Sequence, residues 1–181
     1  MDKPTLRKIF LEERNKIEPR LHKMLNHMLM AALRDVLAEY ELEKIGIYYP
    51  LGNEIDVRGL SDTYEVYYPK TFKEEIVFYK DTGKFETGQL GIKEPKDSKP
   101  VDKNVLDAVI VPGLVYDDAL YRLGYGKGYY DDFLKDFQGL KVGVVFEKFR
   151  VEALPNKPHD IPVDILVSDN LVYESRHGED D

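Results

Sequence analysis

Two stretches of the chain, residues 107–111 (DAVIV) and 142–146 (VGVVF), are almost wholly apolar and bounded by turn-forming residues. A strand that is apolar at nearly every position has no face to show to water, so both of its faces must be covered. That demand points to the middle of a sheet with helices packed on it. The helices are legible as well. Leu21, Met24, Leu25, Met28, Leu29, Ala32, Leu33, Val36 and Leu37 recur every three or four residues and make one broad apolar stripe. The stretch from Asn15 to Pro19 splits the first forty residues into a short basic helix and a long one. Residues 44–49, 64–68, 75–79, 106–111, 140–146 and 164–167 read as strands. Helical spacing returns over 128–137 through Tyr130, Phe133, Leu134 and Phe137. Residues 81–101, rich in Gly, Lys, Glu and Pro, read as a loop with a short hairpin. The expected fold is a single three-layer α/β domain over residues 1–181, its central sheet mostly parallel or mixed, with helices on both faces. Residues 177–181 are expected to fray.

A chain of 181 residues buries roughly two thirds of its unfolded surface, enough for a core without staples. With no cysteine it has no disulfide, thiolate nucleophile, iron–sulfur cluster or cysteine-bound zinc. Its 34 acidic and 26 basic residues leave a formal charge of −8, which argues against nucleic acid or an anionic membrane as partner. A small phosphate-bearing molecule stays possible, since it needs only a local cluster of donors. No stretch approaches the roughly 18 apolar residues of a membrane span, and the N-terminus has no apolar run of signal type. A cytoplasmic protein is expected.

The sharpest local feature is residues 121–131, YRLGYGKGYYD. Gly124, Gly126 and Gly128 allow tight turning and close approach of the backbone to a ligand. A helix follows at once, so its free amides and positive end face whatever lies there, and Lys127 adds a mobile charge. The pattern suits a phosphate cradle or a structural turn. It is neither a Walker loop, which ends in Gly-Lys-Ser/Thr, nor the G-x-G-x-x-G dinucleotide fingerprint. Asp131 falls in the first helical turn, where it either answers the helix dipole or holds magnesium against phosphate oxygens. Arg122 is a forked anion donor or a structural ion-pair partner.

Three other segments bear on chemistry. Lys3, Arg7, Lys8 and Arg14 make a basic patch on the first helix, a solvated face or a second wall over phosphates. Glu54 lies in the loop after the first strand, and residues 111–117 (VPGLVYD) end the most buried strand in the same manner. In α/β sheets ligands bind beyond such carboxyl ends. Residues 158–164 (PHDIPVD) set His159 beside Asp160, read here as a loop-organising histidine because adjacent side chains seldom face each other.

Taken together, residues 3–8 (KPTLRK), 54–58 (EIDVR), 91–95 (GIKEP), 111–117, 122–131 and 158–163 resemble the 5-formyltetrahydrofolate cyclo-ligase family, in family order and over nearly the whole chain. Three places depart from the pattern. Leu120 stands where the family usually has glycine, Phe149 where it often has glutamine, and the 58–64 connection is too short for a helix that many relatives carry. The resemblance implies a fold similar to that of sugar-phosphate isomerases and coenzyme A transferases. It also implies ATP- and Mg2+-dependent closure of 5-formyltetrahydrofolate by a monomer. On that basis Lys3, Arg7, Arg122, Gly124, Tyr125, Gly126, Lys127, Gly128, Tyr129, Tyr130 and Asp131 would hold ATP, with Asp131 on the metal. Glu54, Arg58 and Tyr129 would face the folate, and Glu54, Arg122 and Lys127 would act in catalysis. Between the two tyrosines, the helical stripe favours burial of Tyr130 and ligand contact for Tyr129. The competing expectations are an α/β protein binding a phosphosugar or coenzyme A, and a regulatory nucleotide-binding module.

Overall fold

A computed structural model of the chain describes residues 1–88, 91–125 and 128–175. Helix α1 (Lys3–Asn15) opens on Asp2, whose side chain accepts the Thr5 N–H at 3.0 Å, and has proline in its first turn. Helix α2 (Pro19–Leu37) also begins on proline. Leu29, Leu33 and Leu37 are fully buried, each contributing on the order of 2 kcal/mol. Leu21, Met24 and Met28, on the same expected stripe, stay exposed. The first half of α2 leans on a loop instead of the sheet: Asn26 donates to the Asp56 carbonyl (3.1 Å) and accepts its N–H (2.8 Å).

The strands follow as β1 (Lys44–Gly46), β2 (Glu65–Phe72) and β3 (Glu75–Lys80), then the short β4 (Phe85–Thr87), β5 (Lys93–Pro95) and β6 (Pro100–Val101). Beyond them lie β7 (Ala108–Val111), β8 (Val115–Asp117), β9 (Arg122–Leu123) and helix α3 (Tyr129–Lys135). The chain continues through β10 (Leu140–Val144), β11 (Arg150–Val151), β12 (Ile165–Val167) and β13 (Val172–Glu174). Eight strands form one mixed sheet in the order β13-β12-β10-β7-β1-β2-β3-β6. The run from β12 to β2 is parallel, and the outer strands are antiparallel. As the two apolar stretches require, β7 and β10 are central. β4 and β5 pair as the short hairpin expected in residues 81–101. The strand expected over 44–49 stops at Gly46, although the Ile47 N–H still donates to the Tyr67 carbonyl at 2.8 Å.

The sheet register places Gly46, Val109, Gly143 and Phe78 on one face, where Phe133 of α3 packs against Phe78 with ring centroids 5.1 Å apart. Ile45, Val66, Ala108, Val142 and Ile165 occupy the other face, equally dry, under the α2 leucines and Leu60. Among the described residues no helix is long and apolar enough to cross a membrane.

From β1 the chain moves to β2 on one side, then crosses to β7 on the other. The sheet's switch point therefore lies between β1 and β7, and the loops leaving these strands open a crevice there. A small sheet, β11-β8-β9, stands beside the crevice and carries Arg122 into it. Its β8–β9 turn holds Leu120 at φ +68°, a left-handed conformation that favours glycine, as the family pattern at this position implies. The 58–64 connection contains a single 3-10 turn, Arg58–Asp62, and an open groove of about 760 Å³ runs between it and α2. Phe149 is buried and meets Phe10 of α1 edge-on at 6.4 Å, so this departure pins α1 to the body.

Candidate functional site

Two cavities lie side by side at the switch point. The first, of about 300 Å³, is walled by Tyr48, Tyr49, Tyr125, Tyr129 and Tyr130, with Pro69 and Ile76 from the antiparallel strands and Glu54 at its edge. The second, of about 180 Å³, is polar. Lys3 and Arg7 of α1 face Lys157 and His159 across it, with Asp131 and Asp160 between them. Arg122, Tyr125 and Gly128 line both.

The polar cavity is assembled by three local devices. Gly128 caps α3 at φ +72°, so the backbone reverses there without the strain a side chain would bring. Gly124 lies so close to the Arg122 guanidinium that a Cβ would come within 2.3 Å of Nη1, and its carbonyl accepts the Arg7 Nε–H at 2.9 Å. Helix α1 thus closes over the glycine-rich turn from the far side. Lys3 Nζ is 2.7 Å from Asp160 Oδ2, and that oxygen also accepts the Lys157 N–H at 2.8 Å. Burial works against the Asp160 charge, but these two donors outweigh it and hold the carboxyl below the usual carboxylate range. His159 Nε2 does approach Asp160 Oδ1, at 3.5 Å, contrary to the expectation for neighbours in sequence. Its ring is largely exposed at the rim of the polar cavity.

Arg122 stands at the junction. Its Nη1 donates to the Pro112 carbonyl at 3.3 Å, and its guanidinium carbon is 5.2 Å from the Tyr130 ring centroid. Its Nε is buried and has no hydrogen-bond partner among the described residues, a donor suited to an incoming anion. Glu54 Oε1 accepts the Leu51 N–H at 2.8 Å. Burial pushes the Glu54 carboxyl above its usual range, although that N–H, the Arg14 charge and the Tyr125 hydroxyl pull it back. Tyr48 donates to the Ile55 carbonyl at 2.7 Å, and burial raises the Tyr48 and Tyr130 phenols, so both stay neutral.

Among the expected residues, Lys3, Arg7, Arg122, Gly124, Tyr125, Gly128 and Asp131 meet at the polar cavity, and Glu54 joins Tyr129 and Tyr130 at the aromatic one. Both tyrosines border that cavity, where the stripe favoured only Tyr129. Gly126 and Lys127 lie outside the described residues. Arg58 is placed elsewhere, in the groove beside α2. It forms a fork with Asp56 (Nη2–Oδ2 2.8 Å, Nε–Oδ1 2.9 Å) and donates to Tyr49 Oη at 3.0 Å, bracing a cavity wall from behind. That fork holds Asp56 below the usual carboxylate range.

The family model of the 5-formyltetrahydrofolate cyclo-ligase family matches residues 1–169. The chain belongs to that family. It is an enzyme of the cyclo-ligase class. A protein of Mycoplasma genitalium named 5-formyltetrahydrofolate cyclo-ligase is 26% identical over 176 residues, covering 92% of this chain and 98% of the relative. The solved structure of Aquifex aeolicus 5,10-methenyltetrahydrofolate synthetase superposes with a TM-score of 0.87 at 34% identity, covering 98% of this chain and 95% of that one. The Mycoplasma pneumoniae 5,10-methenyltetrahydrofolate synthetase does so with a TM-score of 0.79 at 25% identity, covering 94% and 100%.

Three features of the site escaped sequence reasoning. The pairing of Asp160 with Lys3 joins positions 157 residues apart, for which no local pattern exists, and Lys157 reaches the cavity beside Asp160. Tyr48 and Tyr49 read as strand residues, and only their place at a strand's carboxyl end hinted at a second role.

Proposed function

We propose that the chain closes 5-formyltetrahydrofolate to 5,10-methenyltetrahydrofolate at the expense of ATP, releasing ADP and phosphate. The observation that carries this reading is the meeting of a basic cavity and a tyrosine-walled cavity at one guanidinium, Arg122, with an unpartnered donor. The aromatic cavity suits the flat, apolar body of a folate, and the basic one suits a triphosphate. In the reaction, the formyl oxygen attacks the terminal phosphorus and ADP leaves. The resulting iminium phosphate is attacked at carbon by the nitrogen at position 10, and phosphate departs with the oxygen. The substrate supplies both nucleophiles, so the protein's work is placement and neutralisation.

Lys3, Arg7, Gly124 and the backbone entering α3 hold the phosphates, with Gly126 and Lys127 assigned the same task. Arg122 neutralises charge on the group in transfer. Glu54 accepts a hydrogen bond from the folate near its reacting nitrogen, and Tyr129 and Tyr130 flank the ring. The metal assignment fits the donors present. Asp131 Oδ1 accepts the Ile161 N–H at 3.1 Å, and Oδ2 has no hydrogen bond among the described residues. Those residues contain no cluster of three or more His, Cys, Asp or Glu. Asp131 would therefore hold Mg2+ together with phosphate and water oxygens, the shell this ion favours. When bound, the ion neutralises phosphate charge. The enzyme so proposed acts as a monomer, in the cytoplasm, on reduced folate and ATP.

The test is to mix the purified protein with 5-formyltetrahydrofolate, ATP and Mg2+, following methenyl product by absorbance and ADP in parallel. Product and ADP should appear one for one and cease when either ATP or Mg2+ is left out. Binding of ATP with no change in the folate would overturn the proposal in favour of a nucleotide-sensing module.

A further inference from the structure

Arg14, near the end of α1, is an unusual place for a cation. It is 8% exposed, it has no carboxylate within ion-pair distance among the described residues, and its Nε lacks a hydrogen-bond partner. A buried guanidinium without a paired carboxylate is costly to desolvate. The void beside it measures about 10 Å³, at the lower limit for a single water, so it is not a socket for a ligand anion. Glu54, Tyr48 and Asn53 line that void with it. The Arg14 guanidinium carbon stands 5.7 Å from the Tyr125 ring centroid. Its carbonyl accepts from Asn53 Nδ2 at 3.4 Å, tying the helix end to the residue before Glu54.

We propose that Arg14 is a positioning residue of the site, a dry counter-charge that stands behind Glu54 across the shared void and, through the Tyr125 ring, fixes where that carboxylate stands. The inference rests on the reading of Glu54 as the folate-facing carboxylate. Several groups face Glu54. Tyr48 comes from the end of β1, Tyr130 from α3 and Tyr125 from the glycine-rich turn, all neutral phenols. Arg122 lies across the aromatic cavity, His22 of α2 bonds the Asn53 carbonyl at 2.8 Å, and Asp56 with Arg58 forms a self-compensating pair. Burial drives the Glu54 carboxyl toward its neutral form, and Arg14 is the cation that opposes it. Helix α1 then serves both cavities. Arg7 grips the phosphate end, and Arg14, two turns or about 10 Å further along, sets the charge at the folate end.

The decisive measurement is the titration of the Glu54 side-chain carboxyl by carbon-13 NMR, assigned with Glu54→Gln, in the wild type, Arg14→Met and Arg14→Lys. The pH profile of kcat/KM for 5-formyltetrahydrofolate is recorded beside it. In Arg14→Met the Glu54 midpoint and the acid limb of the profile should rise together by about one pH unit or more. Arg14→Lys should restore most of the shift, because lysine keeps the charge and loses only the fork. ATP affinity should stay within about twofold of the wild type. A folded Arg14→Met with an unmoved Glu54 midpoint would overturn the proposal, whatever its rate. Should the methionine variant fail to fold, Arg14→Gln, which retains a donor and removes only the charge, is read against Arg14→Lys in the same way. The NMR midpoint needs no turnover. A shift in a protein that forms no methenyl product would therefore sink the folate reading and leave the counter-charge standing.

Discussion

Asp117 and Glu54 are both carboxylates drawn in from water near a strand's end, and their surroundings differ in kind. Asp117 is 2% exposed, and its oxygens are fully engaged by backbone. Oδ1 accepts the N–H groups of Ala119 (3.1 Å) and Tyr121 (2.9 Å), and Oδ2 accepts that of Leu154 (3.0 Å). Glu54 has one such bond, from Leu51. A carboxylate whose lone pairs are taken up by main-chain donors is a piece of the fold. One that is half-buried and held by a single main-chain donor keeps acceptor capacity for something the chain does not contain. The difference separates the residue that shapes the site from the residue that uses it.

The strongest way to break this contrast is Asp117→Ala. Three N–H groups, that of Leu154 buried, would lose their acceptor, and the β8–β9 turn that presents Arg122 would loosen. A loss of about 3–5 kcal/mol is expected, lowering the melting temperature by roughly 10 °C, with turnover falling in step with the folded fraction. A variant that melted normally but turned over slowly would erase the distinction.

Glu54→Gln should do the reverse. Turnover is expected to fall about 100-fold while ATP affinity and the folded fraction hold. Equal damage to ATP binding would move Glu54 to the wrong cavity.

Leu120→Gly sharpens the first half of the comparison. Glycine relieves about 1 kcal/mol of left-handed strain, but it also removes a buried side chain that contributes about 2–3 kcal/mol. The net expectation is a loss of about 1–2 kcal/mol by denaturant titration. A gain would show that the leucine is not packed as described.

The smallest effect concerns pH. Burial raises the folded-state value of Glu54 above its unfolded one, so its charge is a burden on the fold at neutral pH. That burden is absent below the unfolded value and complete once the pH has risen through the folded one. Glu54→Gln should therefore melt slightly higher than the wild type at pH 7, with the gap closing toward pH 4. A gap that widened on acidification would reverse the sign of the burial argument.

The fold was legible where a demand was absolute. Residues 107–111 and 142–146 had to be covered on both faces, and they lie at the centre of the sheet. β8, β9, β11 and β13 were not foreseen, because two or three residues are too few to display a period. Lys3, Arg7, Gly124 and Gly128 were legible as candidates because basic and flexible residues stand out in an acidic chain, and they line one polar cavity. The position of Arg58 outside the aromatic cavity was not legible: Asp56, two residues away, captures its guanidinium, and nothing in the spacing tells a captured arginine from a free one. Tyr129 and Tyr130 could not be separated either. Helix α3 has seven residues, and face arguments need more turns than that.

Lys3 and Asp160 meet across almost the full length of the chain. During synthesis the first emerges from the ribosome 157 residues before the second. The side of the polar cavity that they form cannot close until both are outside. A nascent chain that had not yet exposed Asp160 would therefore leave the polar cavity open on that side.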